Sequence, residues 1–324
     1  MLEIIQKLPN IEQRGILFIG DSTSRRTYGS LWGILKEAAV AALNTDDYVP
    51  YIPTQHFDSV EIVGKKLDRT LCEARGSEND EGRVSICRTV VPAKKTLVGV
   101  QHQEEAHEQQ PLIKLDYVAA NCIHNVLNYT EYSSQFILRD YSVVVLAIGP
   151  WELLGRCGGS VNESSISGVD KNRSVDENGV PSSGGIVHAN DDLLQNLRKM
   201  LDALRGLVVQ QQKMNLAGDT NSNFIAIVRT MGYDADGKYR IMSHEMNRVI
   251  VDYIDDHLQR KQESNITSSM AADGVRLIYS DWGSVVDSRS IGRDRIASFN
   301  AVHYGWEARL ASIQMIMNEL DGIR

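Results

Sequence analysis

Four short runs of apolar residues recur along this chain of 324 residues, and a polar turn and then helical periodicity follow most of them. The runs cover residues 16–19, 143–148, 224–228 and 275–279. A short aliphatic run that is closed by glycine or by polar residues is typical of a strand buried on both faces. Such strands, alternating with amphipathic helices, predict βαβ units.

We therefore predict an α/β fold: a three-layer α/β/α sandwich around a mainly parallel sheet, in one domain over residues 1–324. Two stretches without this pattern, at about 54–110 and 155–188, are predicted to be loop insertions. The helical periodicity covers residues 27–43, 190–212, 243–258 and 306–320.

The first insertion contains weaker signals. Residues 60–63 are predicted to form a short strand, residues 69–83 a charged surface loop, and residues 83–91 a β-branched strand. Beyond the insertion, apolar and polar residues alternate over residues 112–118, which predicts a half-buried strand.

Composition excludes several classes of function. A net charge of −8 and a pI near 5.5 argue against binding to nucleic acid and to anionic membranes. No apolar run reaches the roughly 18 residues that a membrane span needs. The first seven residues are too short an apolar segment for a signal peptide and include Glu3. We expect a cytoplasmic protein, or a fragment or gene model that lacks its leader.

Other features favour the secretory pathway, the Golgi or the extracellular space, and the localisation stays open. Four N-glycosylation sequons begin at Asn128, Asn162, Asn172 and Asn265. The chain has four cysteines with no CxxC spacing, which argues against zinc. One or two disulfides are compatible with the sequence, and buried free thiols are expected for at least two of the cysteines. The cysteines are Cys72, Cys87, Cys122 and Cys157.

His102 and His107 lie among glutamates, and we interpret that segment as a solvated charge run. We expect no metal and no cofactor.

Ser22 is the strongest candidate for a catalytic residue. It follows the first apolar run in the turn Gly20-Asp21-Ser22, ahead of a predicted helix. Backbone amides and the positive end of a helix dipole face outward at such a position and could stabilise an oxyanion. The competing interpretation is that Asp21 and Ser22 only cap the helix.

The other apolar runs end at residues that the fold would bring to the same edge of the sheet. Gly149-Pro150-Trp151 follows the second run, Arg229-Thr230 the third, and Ser280-Asp281-Trp282 the fourth. His303 precedes the last helix and is a candidate general base for Ser22. Its competing interpretation is a packed residue at a helix N-terminus.

These motifs together resemble those of the SGNH/GDSL hydrolases. Gly20-Asp21-Ser22 followed by Arg25 is similar to the GDSxxR block of the PC-esterase branch, which includes the trichome-birefringence-like and Cas1p-like O-acetyltransferases. Gly149-x-Trp151 resembles the glycine–tryptophan block of that branch, and Arg229-Thr230 resembles its Arg-Thr element. Asp281 and His303 fall where its final block belongs.

The resemblance implies a role for each matched residue. Ser22 would be the nucleophile and His303 the base that accepts its proton. The Ser22 amide would donate to the oxyanion in a block that includes Asp21, with Arg25 adding positive charge nearby. Gly149 would allow close backbone approach, and Arg229 would contact the oxyanion or the substrate. Trp151 would form an apolar or sugar-stacking wall, unless it is ordinary core packing.

One position departs from the family. The family has Asp three residues before its histidine, where this chain has Asn300. An amide accepts a hydrogen bond but does not stabilise an imidazolium by charge. We expect either a substitute acid, with Asp281 the first candidate and Asp287 and Asp294 also near, or a Ser–His dyad. Loss of activity is the other outcome.

The sequence thus predicts a serine acyl-ester enzyme, an acetyl esterase or an O-acetyltransferase. Its partners would be an acylated glycan or a small ester, with an acetyl donor in the transferase case. Two alternatives are a non-catalytic carbohydrate-binding relative and a cytosolic esterase of a small ester.

Overall fold

Short runs of β-branched and aliphatic residues form the centre of the sheet, as their composition predicts. The computed structural model describes residues 14–42, 72–75, 84–92, 112–148, 150–153, 157, 188–218, 223–232, 240–264, 275–288 and 306–321. The strands in this part of the chain are β1 Gly15–Gly20, β2 Cys72–Arg75, β3 Val84–Pro92, β4 Leu112–Ala119, β5 Tyr141–Ala147, β6 Phe224–Arg229 and β7 Val275–Ser280. The helices are α1 Ser22–Ala42, α2 Ile123–Tyr132, α3 Ser134–Asp140, α4 Pro150–Leu153, α5 Asp191–Leu216, α6 Arg240–Ser264, α7 Trp282–Ser288 and α8 Trp306–Asp321.

The strands form one sheet in the order β2-β3-β4-β1-β5-β6-β7. The five strands from β4 to β7 in this order are mutually parallel. β3 pairs antiparallel with both β4 and β2. The predicted α/β fold with a mainly parallel sheet is therefore confirmed.

Each face of the sheet packs on its own hydrophobic cluster, because successive side chains of a strand point to opposite faces. Leu17 and Ile19 of β1 belong to a cluster that also contains residues of α2, α3, α5 and α6. Ile16 and Phe18 belong to a second cluster with residues of α1 and α8. Helices thus flank the sheet, and all six residues of β1 are buried. The predicted burial of this strand on both faces is confirmed.

Two segments differ from the prediction. The predicted loop at 69–83 contains β2, and with β3 it extends the sheet, so part of the first insertion is an antiparallel edge rather than a loop. β4 is not half-buried, because Asp116 is as inaccessible as its apolar neighbours and accepts a hydrogen bond from the Tyr141 hydroxyl at 2.6 Å. β4 lies between β3 and β1 in the sheet, and a polar side chain that is buried at such a position forms a hydrogen bond.

Helices α2 and α3 were not predicted. Their sequence is rich in Asn, Thr, Tyr and Ser, which have little helix propensity, so packing of residues such as Val126 and Ile137 into the core stabilises them. None of the helices described combines the length and the low charge that a membrane crossing requires. The predicted strand at 60–63 and the segment with His102 and His107 lie outside the described residues.

Candidate functional site

The exit of β1 is a tight turn that only glycine fits. Gly20 has φ of 150°, and a Cβ atom there would overlap the carbonyl oxygen of Ala147 and the hydroxyl of Ser24. The Gly20 carbonyl accepts hydrogen bonds from the Ala120 amide at 2.9 Å and the Tyr117 hydroxyl at 3.0 Å. On the other side, the Ser24 hydroxyl donates to the Ala147 carbonyl at 3.1 Å, so the strands on both sides hold the turn that leads to Ser22.

Asp21 caps helix α1. Its Oδ1 accepts hydrogen bonds from the Thr23 amide at 2.8 Å and the Thr23 hydroxyl at 2.7 Å. The helix therefore begins at Ser22, five residues before the predicted start at residue 27, because the cap satisfies its first amides. Capping by Asp21, one of the two interpretations of this turn, is thus observed.

The Asp21 carboxyl group is completely buried. Burial raises its pKa above the ordinary value, whereas the hydrogen bonds from Thr23 and the positive charge of Arg229 act in the opposite direction. Within the described part of the chain, Asp21 Oδ2 forms no hydrogen bond of ordinary geometry. Its backbone carbonyl accepts the first helical hydrogen bond, from the Arg25 amide at 3.0 Å.

Ser22 is the first residue of α1 and is half-buried. It follows β1, which lies between β4 and β5. Numbered among the parallel strands alone, the sheet order is 2-1-3-4-5, so the chain changes direction across β1. Ligands of such sheets bind outside the carboxyl ends of the strands at this switch point. Ser22 lies at that place, and the half-buried side chain of Arg25 lies one turn further along the helix.

Arg229, at the end of β6, joins three elements below the rim. Its Nη2 donates to Thr23 Oγ1 at 2.8 Å, and its Nη1 donates to Thr27 Oγ1 at 2.7 Å and to Ser312 Oγ of α8 at 3.2 Å. Arg229 is 5% exposed. This geometry favours a positioning role for Arg229 over the substrate contact that its rim position predicted.

Asp281, at the end of β7, also acts as a helix cap. Its Oδ1 accepts from the Ser284 amide and lies within hydrogen-bonding distance of the Thr230 hydroxyl, both at 3.3 Å. The strand order places β7 three strands from β1, about 14 Å at the usual strand spacing. Its assignment as a substitute triad acid stays a prediction.

Trp151 is half-buried in α4, directly after β5 and thus beside the exit of β1. The next residue, Glu152, is 2% exposed, and its Oε1 accepts a hydrogen bond from the Ile123 amide at 2.7 Å, at the first residue of α2. This buried carboxylate joins the segments that follow β4 and β5.

A disulfide between Cys122 and Cys157 strengthens the same connection, with a Cα–Cα distance of 5.7 Å. Because β1 lies between β4 and β5, this bridge and Glu152 together span the strand that leads to Ser22. One of the disulfides that the sequence left open is thus confirmed. Sγ of both cysteines lies close to the Glu152 carboxylate, but oxidised sulfur is not a metal ligand, so this cluster does not predict a metal site.

The described residues bring Asp21, Ser22 and Arg25 together at one helix N-terminus and connect them to Arg229 through Thr23. Gly149, Asn300 and His303 lie outside the described residues. Sequence reasoning missed the partners of Arg229, namely Thr23, Thr27 and Ser312. Thr23 and Thr27 are four residues apart, a spacing that places two residues on one face of a helix. This signal could have been recognised only if the helix had been predicted to begin at Ser22.

In comparisons with known proteins, no protein-family model matches this chain, and no curated sequence matches it either.

Proposed function

We propose that this protein is a serine acyl-ester enzyme with an SGNH-like, three-layer α/β/α fold, in which Ser22 is the nucleophile and His303 the general base. The observation that carries the proposal is the position of Ser22: it is the first residue of a helix at the switch point of a parallel sheet. That position places a hydroxyl group beside the positive end of a helix dipole. A 2-1-3-4-5 order with helices on both faces supports the fold class.

Chain connectivity supports the pairing of Ser22 with His303. Arg229 bonds to Thr23, next to Ser22, and to Ser312 of α8. Helix α8 begins six residues before Ser312, about 9 Å along the helix axis. His303 precedes that start by three residues, which span at most about 11 Å. Position 303 is therefore at most about 20 Å along the chain from Ser312, and the proposal places its imidazole at the rim where Ser22 lies.

In the proposed mechanism, His303 accepts the proton of the Ser22 hydroxyl as the oxygen attacks the carbonyl carbon of an ester. The oxyanion of the tetrahedral intermediate would receive hydrogen bonds from the backbone amide of Ser22 and charge stabilisation from the helix dipole and Arg25. The intermediate then expels the alcohol, which takes the proton from His303, and leaves an acyl group on Ser22. Gly149 and Trp151 would border the acyl site after β5.

The acyl-enzyme can be resolved in two ways. Water as the acceptor makes the protein an esterase, and a hydroxyl group of a glycan makes it an O-acetyltransferase. Acetylated glycans are the substrate class that the motif resemblance favours. Without an Asp at position 300, Asn300, Asp281 or a backbone carbonyl would orient His303.

A fluorophosphonate probe tests the nucleophile directly. We expect covalent labelling at Ser22 in the unaltered protein and in S284A, a control at an exposed helical serine, and no labelling of S22A. Turnover of p-nitrophenyl acetate should fall by about 10³-fold or more in S22A. Equal labelling or equal turnover of S22A and S284A would overturn the assignment.

The second candidate is a non-catalytic carbohydrate-binding protein, favoured by Asn300 at the usual acid position and by the capping role of Asp281. It predicts binding of acetylated oligosaccharides without labelling of Ser22. If the probe labels Ser22 but glycan esters are not turned over while small esters are, the esterase of a small ester is the correct function.

A further inference from the structure

An N-glycosylation sequon lies on the exposed side of helix α2. In Asn128-Tyr129-Thr130, Asn128 is exposed, whereas Tyr129 and Thr130 are only 9% and 2% exposed. Among the described residues, nothing forms a hydrogen bond with the Asn128 side chain. A large group attached to its amide nitrogen would therefore extend into solvent without disturbing the packed residues beside it.

A disulfide beside the same helix indicates an oxidising compartment. Cys122, the residue before α2, is 5% exposed and forms the disulfide with Cys157. Buried structural disulfides form in the secretory pathway and are rare in the reducing cytosol. Asparagine-linked glycans are attached in that same pathway, and Asn128 is six residues from this cysteine.

An exposed aromatic ring lies on the same helix face. Tyr132 is four residues after Asn128 and 90% exposed, so it is an unusually accessible large hydrophobic side chain. Residues four apart are neighbours on a helix surface, and helical side chains lean toward the N-terminus, which directs Tyr132 toward Asn128. The apolar face of a sugar ring would cover such an aromatic surface.

We propose that Asn128 carries an N-linked glycan and that Tyr132 packs against its first sugars. The amide nitrogen of Asn128 forms a bond to the anomeric carbon of a lipid-linked oligosaccharide. The bond from that carbon to the pyrophosphate oxygen breaks, the amide gives up one proton to a base of the transferase, and the lipid pyrophosphate leaves. This inference is independent of the proposed role of Ser22.

The structure also sets the order of events. The Thr130 hydroxyl, which a glycosyl-transferring enzyme must read, donates to the Val126 carbonyl at 2.8 Å and is buried. Under this proposal, transfer to Asn128 therefore precedes the folding of α2.

Protein isolated from its own cells gives the direct test. Digestion with a peptide-N-glycosidase in ¹⁸O-labelled water converts a glycosylated asparagine to labelled aspartate, which mass spectrometry locates. We expect the label at position 128. A peptide with unmodified Asn128 throughout would overturn the proposal.

Variants of the full chain, produced in the secretory pathway of a eukaryotic cell, test the sequon itself. We expect N128Q and T130V to carry one glycan fewer than the unaltered protein, and T130S to keep it. N318Q, at an exposed helical asparagine outside any sequon, is the matched control. Loss of a glycan in T130S, or no change in N128Q, would contradict the proposal.

The contact with Tyr132 is tested by measuring Tm for the unaltered protein and Y132A, each before and after glycan removal. We expect Y132A to lower Tm by about 2 °C only when the glycan is present. An equal effect of Y132A in both forms would show that Tyr132 does not contact the glycan.

Discussion

Arg229 Nη2 donates a hydrogen bond to Thr23 Oγ1 at 2.8 Å, and the same hydroxyl donates to Asp21 Oδ1 at 2.7 Å. A threonine hydroxyl has one proton and accepts through its lone pairs, so this pattern uses it in both directions. Through it, a cation at the end of β6 stabilises the helix cap that positions Ser22 beside β1. The candidate site thus depends on a contact between residues about 200 positions apart in sequence.

Removing this cation should destabilise the protein. We expect R229A to lower the free energy of unfolding by about 3 kcal/mol, because three hydroxyls, two of them on buried residues, lose a charged donor. R248A removes an exposed arginine that pairs with Asp252 at 3.4 Å. This variant should change the free energy of unfolding by less than about 1 kcal/mol. Urea unfolding measures both. A similar loss of unfolding free energy in the two variants would contradict a positioning role for Arg229.

The buried carboxyl of Asp21 should make stability depend on pH. Burial raises the pKa of the Asp21 carboxyl in the folded state above the ordinary value of 3.8. The contribution of this carboxyl to stability is therefore fully present below that ordinary value and is lost as pH rises through the folded-state pKa. In D21N the amide caps the helix equally well without ionising. We expect the stability of D21N relative to the unaltered protein to increase as pH rises above the ordinary value of 3.8.

D140N provides the control of opposite sign. A hydrogen bond from Arg139 lowers the pKa of Asp140, so that its contribution is present above the ordinary value and is lost as pH falls. D140N should therefore lose stability at neutral pH and match the unaltered protein in acid. Parallel pH profiles for D21N and D140N would refute both assignments.

Glu152 should be needed for the connection across β1. We expect E152A to lower the free energy of unfolding by about 2 kcal/mol, because the Ile123 amide loses a buried charged acceptor. E152Q keeps an acceptor oxygen and should lose less. E131A, at an exposed position of the adjoining helix, is the control, and a loss in it as large as in E152A would argue against a specific cap.

A second disulfide is expected at the antiparallel edge. Cys72 of β2 and Cys87 of β3 are direct partners in the register, and the Cα atoms of such partners are about 4.5–5.5 Å apart, within the range that disulfides span. Alkylation of the unreduced, denatured protein should therefore leave all four cysteines unmodified. Recovery of alkylated Cys72 and Cys87 would show that these two cysteines are free thiols.

The sequence predicted the core strands well because their signal is local. The runs at 16–19, 143–148, 224–228 and 275–279 became β1, β5, β6 and β7, and the alternation at 112–118 became β4. Strands at the centre of a sheet that is covered on both faces need mostly apolar residues, and these short runs supply them. The long helices α5 and α8 followed their periodicity closely.

Weaker elements depended on partners that are distant in the chain. Residues 72–75 joined the sheet because β3 offered a free edge, although their own composition predicted a loop. α2 folds with a buried carboxylate from Glu152 at its first amide, 29 residues away. Propensity describes one segment at a time and does not contain such contacts.

By itself, the sequence determined the fold class, the buried strands and the place of Ser22 on a strand-to-helix turn, because hydrophobic periodicity and glycine turns act over a few residues. Only the tertiary structure decided the strand order, the enclosure of Arg229 by Thr23, Thr27 and Ser312, and the Cys122–Cys157 bridge over β1. Each of these depends on contacts between segments that are distant in the chain. Such contacts form only when the segments pack together and bury apolar surface.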